Sequence, residues 1–214
     1  MITWDLVRVM AVRLVWSIRV SGISEKSFKN ADDPFQSIQY NLPYQMFGSP
    51  RPFSSYLSGT SEIEVKTIDD IKNFLAKQCL YKSDRGRFGR LDYWQTPVEF
   101  EKNKEGDCED SALWAWCKLI EMGISAHFVS GVCVYQEKKY IAGHAWVIFK
   151  NNEQWYIFES ASKSIEHIVI SLEKARNIYY PLCSTDSLMQ TYIYPGVGLL
   201  SKRPDFGEMR VKIY

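Results

Sequence analysis

Residues 107–122 read DCEDSALWAWCKLIEM, and this stretch, with the runs that follow it, decides the fold. It holds neither Gly nor Pro, carries acids where a first turn would lie, and is followed by Gly123, so it reads as a helix with a start and a stop. Ala112, Leu113, Trp116, Leu119 and Ile120 predict its buried face. Downstream, AHFVSGVCVY (126–135), IAGHAWVIFK (141–150) and WYIFES (155–160) are strand-like, with QEKK and NNEQ as turns between them. A helix followed by an antiparallel meander predicts an α+β fold in which the helix packs on the sheet.

Upstream, TIDDIKNFLAKQCLY (67–81) predicts a second helix, with Thr67 as its cap, Asp70 at N3, and a stripe of Ile68, Ile71, Phe74, Leu75 and Cys79. KSDRGRFGR (82–90) could contact a phosphate, but the expected context of a strand feeding a helix is missing, and a solvated loop is the simpler reading. Residues 21–60 carry Pro34, Pro43, Pro50 and Pro52, which predict an irregular connection packed onto the body through Phe35, Tyr40, Tyr44, Phe47, Phe53 and Tyr56. In the first twenty residues Asp5, Arg8, Arg13 and Arg19 leave no uncharged run approaching the ~7–15 residues of a leader core or the ~20 of a membrane span. A docking element is expected there, no membrane insertion, and a cytoplasmic location. Beyond the meander, SLEKARNIYY (171–180) predicts a helix and the Pro/Gly-punctuated tail (194–214) a short final strand. The expected organisation is one domain, with an N-terminal elaboration (1–66), a core (67–170) and a C-terminal extension (171–214).

Composition excludes more than it proposes. The 214 residues carry 26 basic and 25 acidic side chains, a net charge of +1, which offers no field for a nucleic acid. At 46% hydrophobic and 14% aromatic the chain should fold. Its five cysteines, Cys79, Cys108, Cys117, Cys133 and Cys183, form no CxxC pair and read as reduced thiols. A zinc set drawn from Cys108, Cys117, Cys133, His127 and His144 lacks the paired spacing of structural sites.

Within this inventory one constellation stands out. Cys108 opens its helix, where unpaired N–H groups and the macrodipole favour a thiolate. Cys117 lies about 180° around that helix and ~13 Å along it, too far to share the chemistry. If NNEQ closes a symmetric hairpin, Lys150 faces Trp155, and His144 and Glu159 become a diagonal pair ~7–8 Å apart at the backbone. A carboxylate can then orient the imidazole, provided this hairpin face packs over the start of the Cys108 helix. Cys108, His144 and Glu159 would form nucleophile, base and orienter. Asp107, Glu109 and Asp110 work against this, because negative charge raises a thiol pKa; either they cap the helix or a hard cation such as calcium neutralises them.

The stretch DYWQTPVEFEKNKEGDCEDSALWAWCKLIEMG (92–123), with GHAWVIF and WYIFES after it, resembles the bacterial transglutaminase-like cysteine proteinases. The resemblance implies a papain-like core, Cys108 as nucleophile, His144 as base and Glu159 at the third position, where Asp is usual in the group. It also implies a protein or peptide substrate and no required cofactor. The calcium-dependent members bind their ion through acids flanking the nucleophile, which map to Asp107 and Glu109. An oxyanion hole would use the Cys108 N–H with Gln95 or Trp94 as second donor. Thiol-dependent peptide hydrolysis is the leading expectation; transamidation on the same thioester and a silent binding module of the same fold are the alternatives.

Overall fold

The computed structural model describes residues 35–59, 61–89, 92–195, 200 and 203–212. The docking element expected in the first twenty residues lies outside them. Six α-helices occur among the described residues: α1 (Ser54–Leu57), α2 (Ile68–Lys77), α3 (Asp84–Phe88), α4 (Pro97–Asn103), α5 (Cys108–Glu121) and α6 (Leu172–Ala175). None is long and apolar enough to cross a membrane.

The strands are β1 (Ile38–Gln39), β2 (Leu80–Tyr81), β3 (Glu105–Gly106), β4 (Ala126–Tyr135), β5 (Tyr140–Asn151), β6 (Gln154–Phe158), β7 (Val169–Ser171), β8 (Tyr179–Asp186), β9 (Thr191–Ile193) and β10 (Arg210–Lys212). Eight of them form one sheet in the order β1-β9-β8-β4-β5-β6-β7, with β10 added parallel to the start of β5. β2 and β3 pair separately, just before α5. The mixture of helices with a mainly antiparallel sheet is the expected α+β architecture.

Helix α5 runs through the middle of the molecule. Of its predicted face Ala112, Leu113, Trp116 and Leu119 are buried and Ile120 only half-buried, and every residue from Glu109 to Leu119 is buried, because the sheet covers one side and α1, α2 and α4 cover the other. Thr67 and Asp70 cap α2 reciprocally, and Ile71, Phe74 and Leu75 carry its buried stripe. Phe47, Phe53 and Tyr56 of the preceding connection enter the core beside Trp94, Trp116 and Phe128 as expected, whereas Tyr40 stays exposed, held only through its backbone to Thr191.

The β5–β6 hairpin has the predicted register, Lys150 opposite Trp155, closed by Asn152 and Glu153 in the left-handed region. Two expectations fail. SLEKARNIYY is helical only over the four residues of α6, and its end begins β8, which lies beside β4 in the interior of the sheet. Pro181 masks that strand in the sequence: it cannot donate to a ladder, and the β4–β8 register shifts there, at Ser130/Gly131. Gly131 must lack a side chain, since a Cβ would collide with Trp146 and with the Tyr180 carbonyl. KSDRGRFGR is not a solvated loop: it forms α3 and buries Asp84.

On the far side of α5, Lys118 is buried against Glu101 (3.3 Å), Glu121 (3.0 Å), the Ile63 carbonyl (2.6 Å) and Ser61. Glu101 in turn accepts from Trp114 Nε1 (2.9 Å), the Glu62 N–H (3.0 Å) and Ser61. This network fastens the 61–63 segment to the back of the helix. Glu101→Ala strips a buried ammonium of its buried partner, and an equilibrium urea titration is expected to show a loss of about 3 kcal/mol; a loss under about 1 kcal/mol would mean that Glu121 alone suffices.

Candidate active site

Cys108 is the first residue of α5, and Asp107 before it serves as N-cap in a reciprocal box with Asp110. The helix enters the sheet at a gap. β4 pairs with residues 140–149 of β5 on one edge, while on the other β10 covers residues 140–142 and β6 covers 147–151. Among the described residues no strand lies beside 143–146 there, and the Ala145 backbone acts on the Cys108 thiol to lower its pKa.

His144 and Glu159 meet as the register predicted, with Nε2 2.7 Å from Glu159 Oε2. Glu159 lies one residue past the end of β6, its N–H bonded to the Ile168 carbonyl (2.6 Å). Its Oε1 accepts from the Ala161 N–H (3.1 Å) and its Oε2 also from the Tyr179 hydroxyl (2.8 Å). Burial would raise this carboxyl, but His144 first, then Tyr179 and Ala161, hold it below its ordinary value.

The face on which this happens differs from expectation. Ala145, Val147 and Phe149 pack against α5, whereas Trp146 and Ile148 belong to a second cluster with Val129, Ile157 and Tyr179 on the other side of the sheet. His144 has the parity of Trp146 and stacks on it at 5.9 Å. Cys108 packs with the cluster on the α5 side, not with the face that bears His144.

Around the thiol the acids are more numerous than the sequence indicated. Asp84, Asp92 and Glu109 bring carboxylate oxygens within 4.8 Å of one another, and so do Asp84, Asp107 and Asp110. Asp84 is common to both groups, and nothing in the local pattern of KSDRGRFGR marks it as buried. Burial and neighbouring acids push Asp84 and Asp110 up to about 7 and drive Asp107 upward. Glu109 is likewise driven well up, by burial and then by the neighbouring Asp107. The Cys108 thiol is held well above its usual range by burial, then Glu109, then Asp107, and it donates to Glu109 Oε2 at 3.2 Å.

Gln95 and Trp94 are committed elsewhere. Gln95 is fully buried; its Nε2 donates to Asp110 Oδ2 (2.6 Å) and to the Glu105 carbonyl (2.9 Å), and its backbone N–H to Asp110 Oδ1 (2.7 Å). Trp94 Nε1 donates to Asp92 Oδ1 (2.8 Å). With these side-chain protons engaged, the pair braces the acids instead of supplying the expected oxyanion donor. Gly106 is required here for a steric reason, because a Cβ would overlap the Asp110 carboxylate.

A family profile described as bacterial transglutaminase-like cysteine proteinase, BTLCP, matches residues 30–171. No curated protein is significantly similar in sequence. Among solved structures the chain is similar to calcium-bound Legionella pneumophila LapG, at 18% identity and TM-score 0.44, covering 63% of this chain and 72% of that one. It is similar also to EGTA-treated LapG from the same organism, at 19% identity and TM-score 0.43, covering 63% and 70%.

Carboxyls whose folded values lie above their unfolded ones stabilise the fold when protonated, and that contribution is lost as pH rises from about 4 toward the folded value. Asp84 and Asp110, at about 7, thus predict that chelator-treated protein melts lower at about pH 8 than at about pH 5, and that Asp84→Asn flattens the dependence. Thermal unfolding across that range checks this; a melting temperature rising with pH would contradict it.

Proposed function

Because the chain belongs to the bacterial transglutaminase-like cysteine proteinases and is a thiol peptidase, we propose that it cleaves a protein or peptide amide with Cys108 as nucleophile, His144 as base and Glu159 as the group orienting the imidazole. The observation that carries this assignment is the His144 Nε2–Glu159 Oε2 contact of 2.7 Å, a carboxylate-held imidazole in the same chain as a cysteine that opens a helix. With Nε2 engaged by Glu159, Nδ1 is the ring nitrogen left to take the thiol proton. The thiolate then adds to the scissile carbonyl, and the Cys108 N–H, in the first turn where no intrahelical acceptor exists, receives the oxyanion. His144 returns the proton to the departing amine, water displaces the thioester, and the free thiol is restored.

The acids fit a hard cation such as calcium. Among the described residues Asp84 Oδ1 and Asp107 Oδ1 are buried with no hydrogen-bond partner, which is costly for a carboxylate unless something positive joins it. Asp84, Asp92, Asp107 and Glu109 would hold the ion, with Asp110 fixed behind them by Gln95. Bound there, calcium would supply positive charge beside the sulfur and offset the carboxylates that hold the thiol pKa up. With Glu109 so engaged, the thiol proton has His144 as its acceptor.

Two experiments test these assignments. On a peptide library, Cys108→Ala and His144→Ala should abolish every cleavage made by the native chain, and Glu159→Gln should slow it roughly 10–100-fold; cleavage surviving Cys108→Ala would end the nucleophile assignment. In a thermal melt, EDTA should lower the midpoint and added calcium restore it, an effect that Asp84→Asn blunts. Identical melts with and without chelator would remove the cation.

A further inference from the structure

The third position carries Glu where an aspartate is the shorter choice, and the extra methylene adds a torsion. Something must therefore fix the carboxylate if it is to orient an imidazole. Ala161 secures Oε1, but Oε2 is the oxygen that faces His144, and there the second donor is the Tyr179 hydroxyl at 2.8 Å.

Tyr179 is well placed to act as a fixed point. It is buried at the start of β8, its ring meets Trp146 edge-on at 5.3 Å, and it lies 6.4 Å from the His144 ring. Trp146 in turn stacks on His144, so tyrosine, tryptophan, imidazole and carboxylate form one closed set on the same side of the sheet. The other titratable groups facing this set are Cys133 and Tyr135, both from β4. Tyr179 also lies beyond residues 30–171, the part of the chain that matches the family.

We propose that Tyr179 is a positioning residue of the catalytic unit, its hydroxyl fixing the Glu159 carboxylate against His144. The assignment rests on the Cys108–His144 reading above. It predicts a defect expressed through Glu159: with one donor fewer, the carboxylate both loses its fixed orientation and accepts a proton more readily, so the acid limb of the rate moves to higher pH.

The test uses the full chain in calcium-containing buffer and a peptide that the native chain cleaves. Tyr179→Phe should lower kcat about tenfold with KM within about twofold, and shift the acid limb of the kcat–pH profile upward. Tyr179→Phe combined with Glu159→Gln should be no slower than Glu159→Gln alone, because the hydroxyl acts through that carboxylate. If the phenylalanine variant does not fold, Tyr179→Leu, which also removes the hydroxyl, gives the same readings. An unchanged kcat and acid limb, or full additivity with Glu159→Gln, would overturn the proposal. Cleavage persisting in Cys108→Ala or His144→Ala would instead overturn the reading on which it rests.

Discussion

The burial of several carboxylates at the start of helix α5 is the constraint on which the rest of this structure turns. Acids near a helix N-terminus are ordinarily favourable, since they complement the dipole and cap free N–H groups. Asp107 and Asp110 do cap α5, but Asp84, Asp92 and Glu109 crowd the same place with little water to separate the charges. Much of the surrounding architecture answers to that crowding. Gln95 spends its donors on Asp110, Trp94 spends its own on Asp92, and Gly106 gives up a side chain so that Asp110 can approach. The WQTP segment is thus a brace for charge as much as a link between elements.

A second consequence concerns the thiol. Helix position favours ionisation of Cys108, whereas burial and the adjacent acids oppose it, and in the structure the opposing effects win. The thiol proton lies toward Glu109, while the Nε2 of His144 is engaged by Glu159. The sheet contributes the geometry: an interval on β5 uncovered by β6 or β10 lets the helix terminus reach the strand edge at Ala145. A single sheet therefore seats the helix, with Cys108, on one face and the His144–Glu159–Tyr179 group on the other.

What could be read from the sequence follows from what is local. Strand periodicity and a two-residue turn specify the β5–β6 register, which is why the His144–Glu159 pair was accessible from spacing alone. The Thr67 cap and the start of α5 are likewise written in neighbouring residues. Long-range features were not. Which face of β5 meets α5 depends on layer packing, and Asp84 becomes a member of the acid cluster only because α3 folds back toward residues 92–110. β8 was hidden by Pro181, and with it went Tyr179, a tyrosine that nothing in its own neighbourhood distinguishes. Gln95 and Trp94 show the same limit from the opposite side, since their donors are taken by acids that local pattern does not connect to them.

Offsetting the charge of the surrounding acids should release the proton that they hold on Cys108. The most direct measurement is the ultraviolet absorbance of the Cys108 thiolate, followed against pH with calcium and with EDTA, and corrected by subtracting Cys108→Ser. The account predicts that the thiolate of Cys108 appears at distinctly lower pH with calcium than with EDTA. Superimposable titrations, with the thiolate emerging only far above neutrality in both, would contradict it.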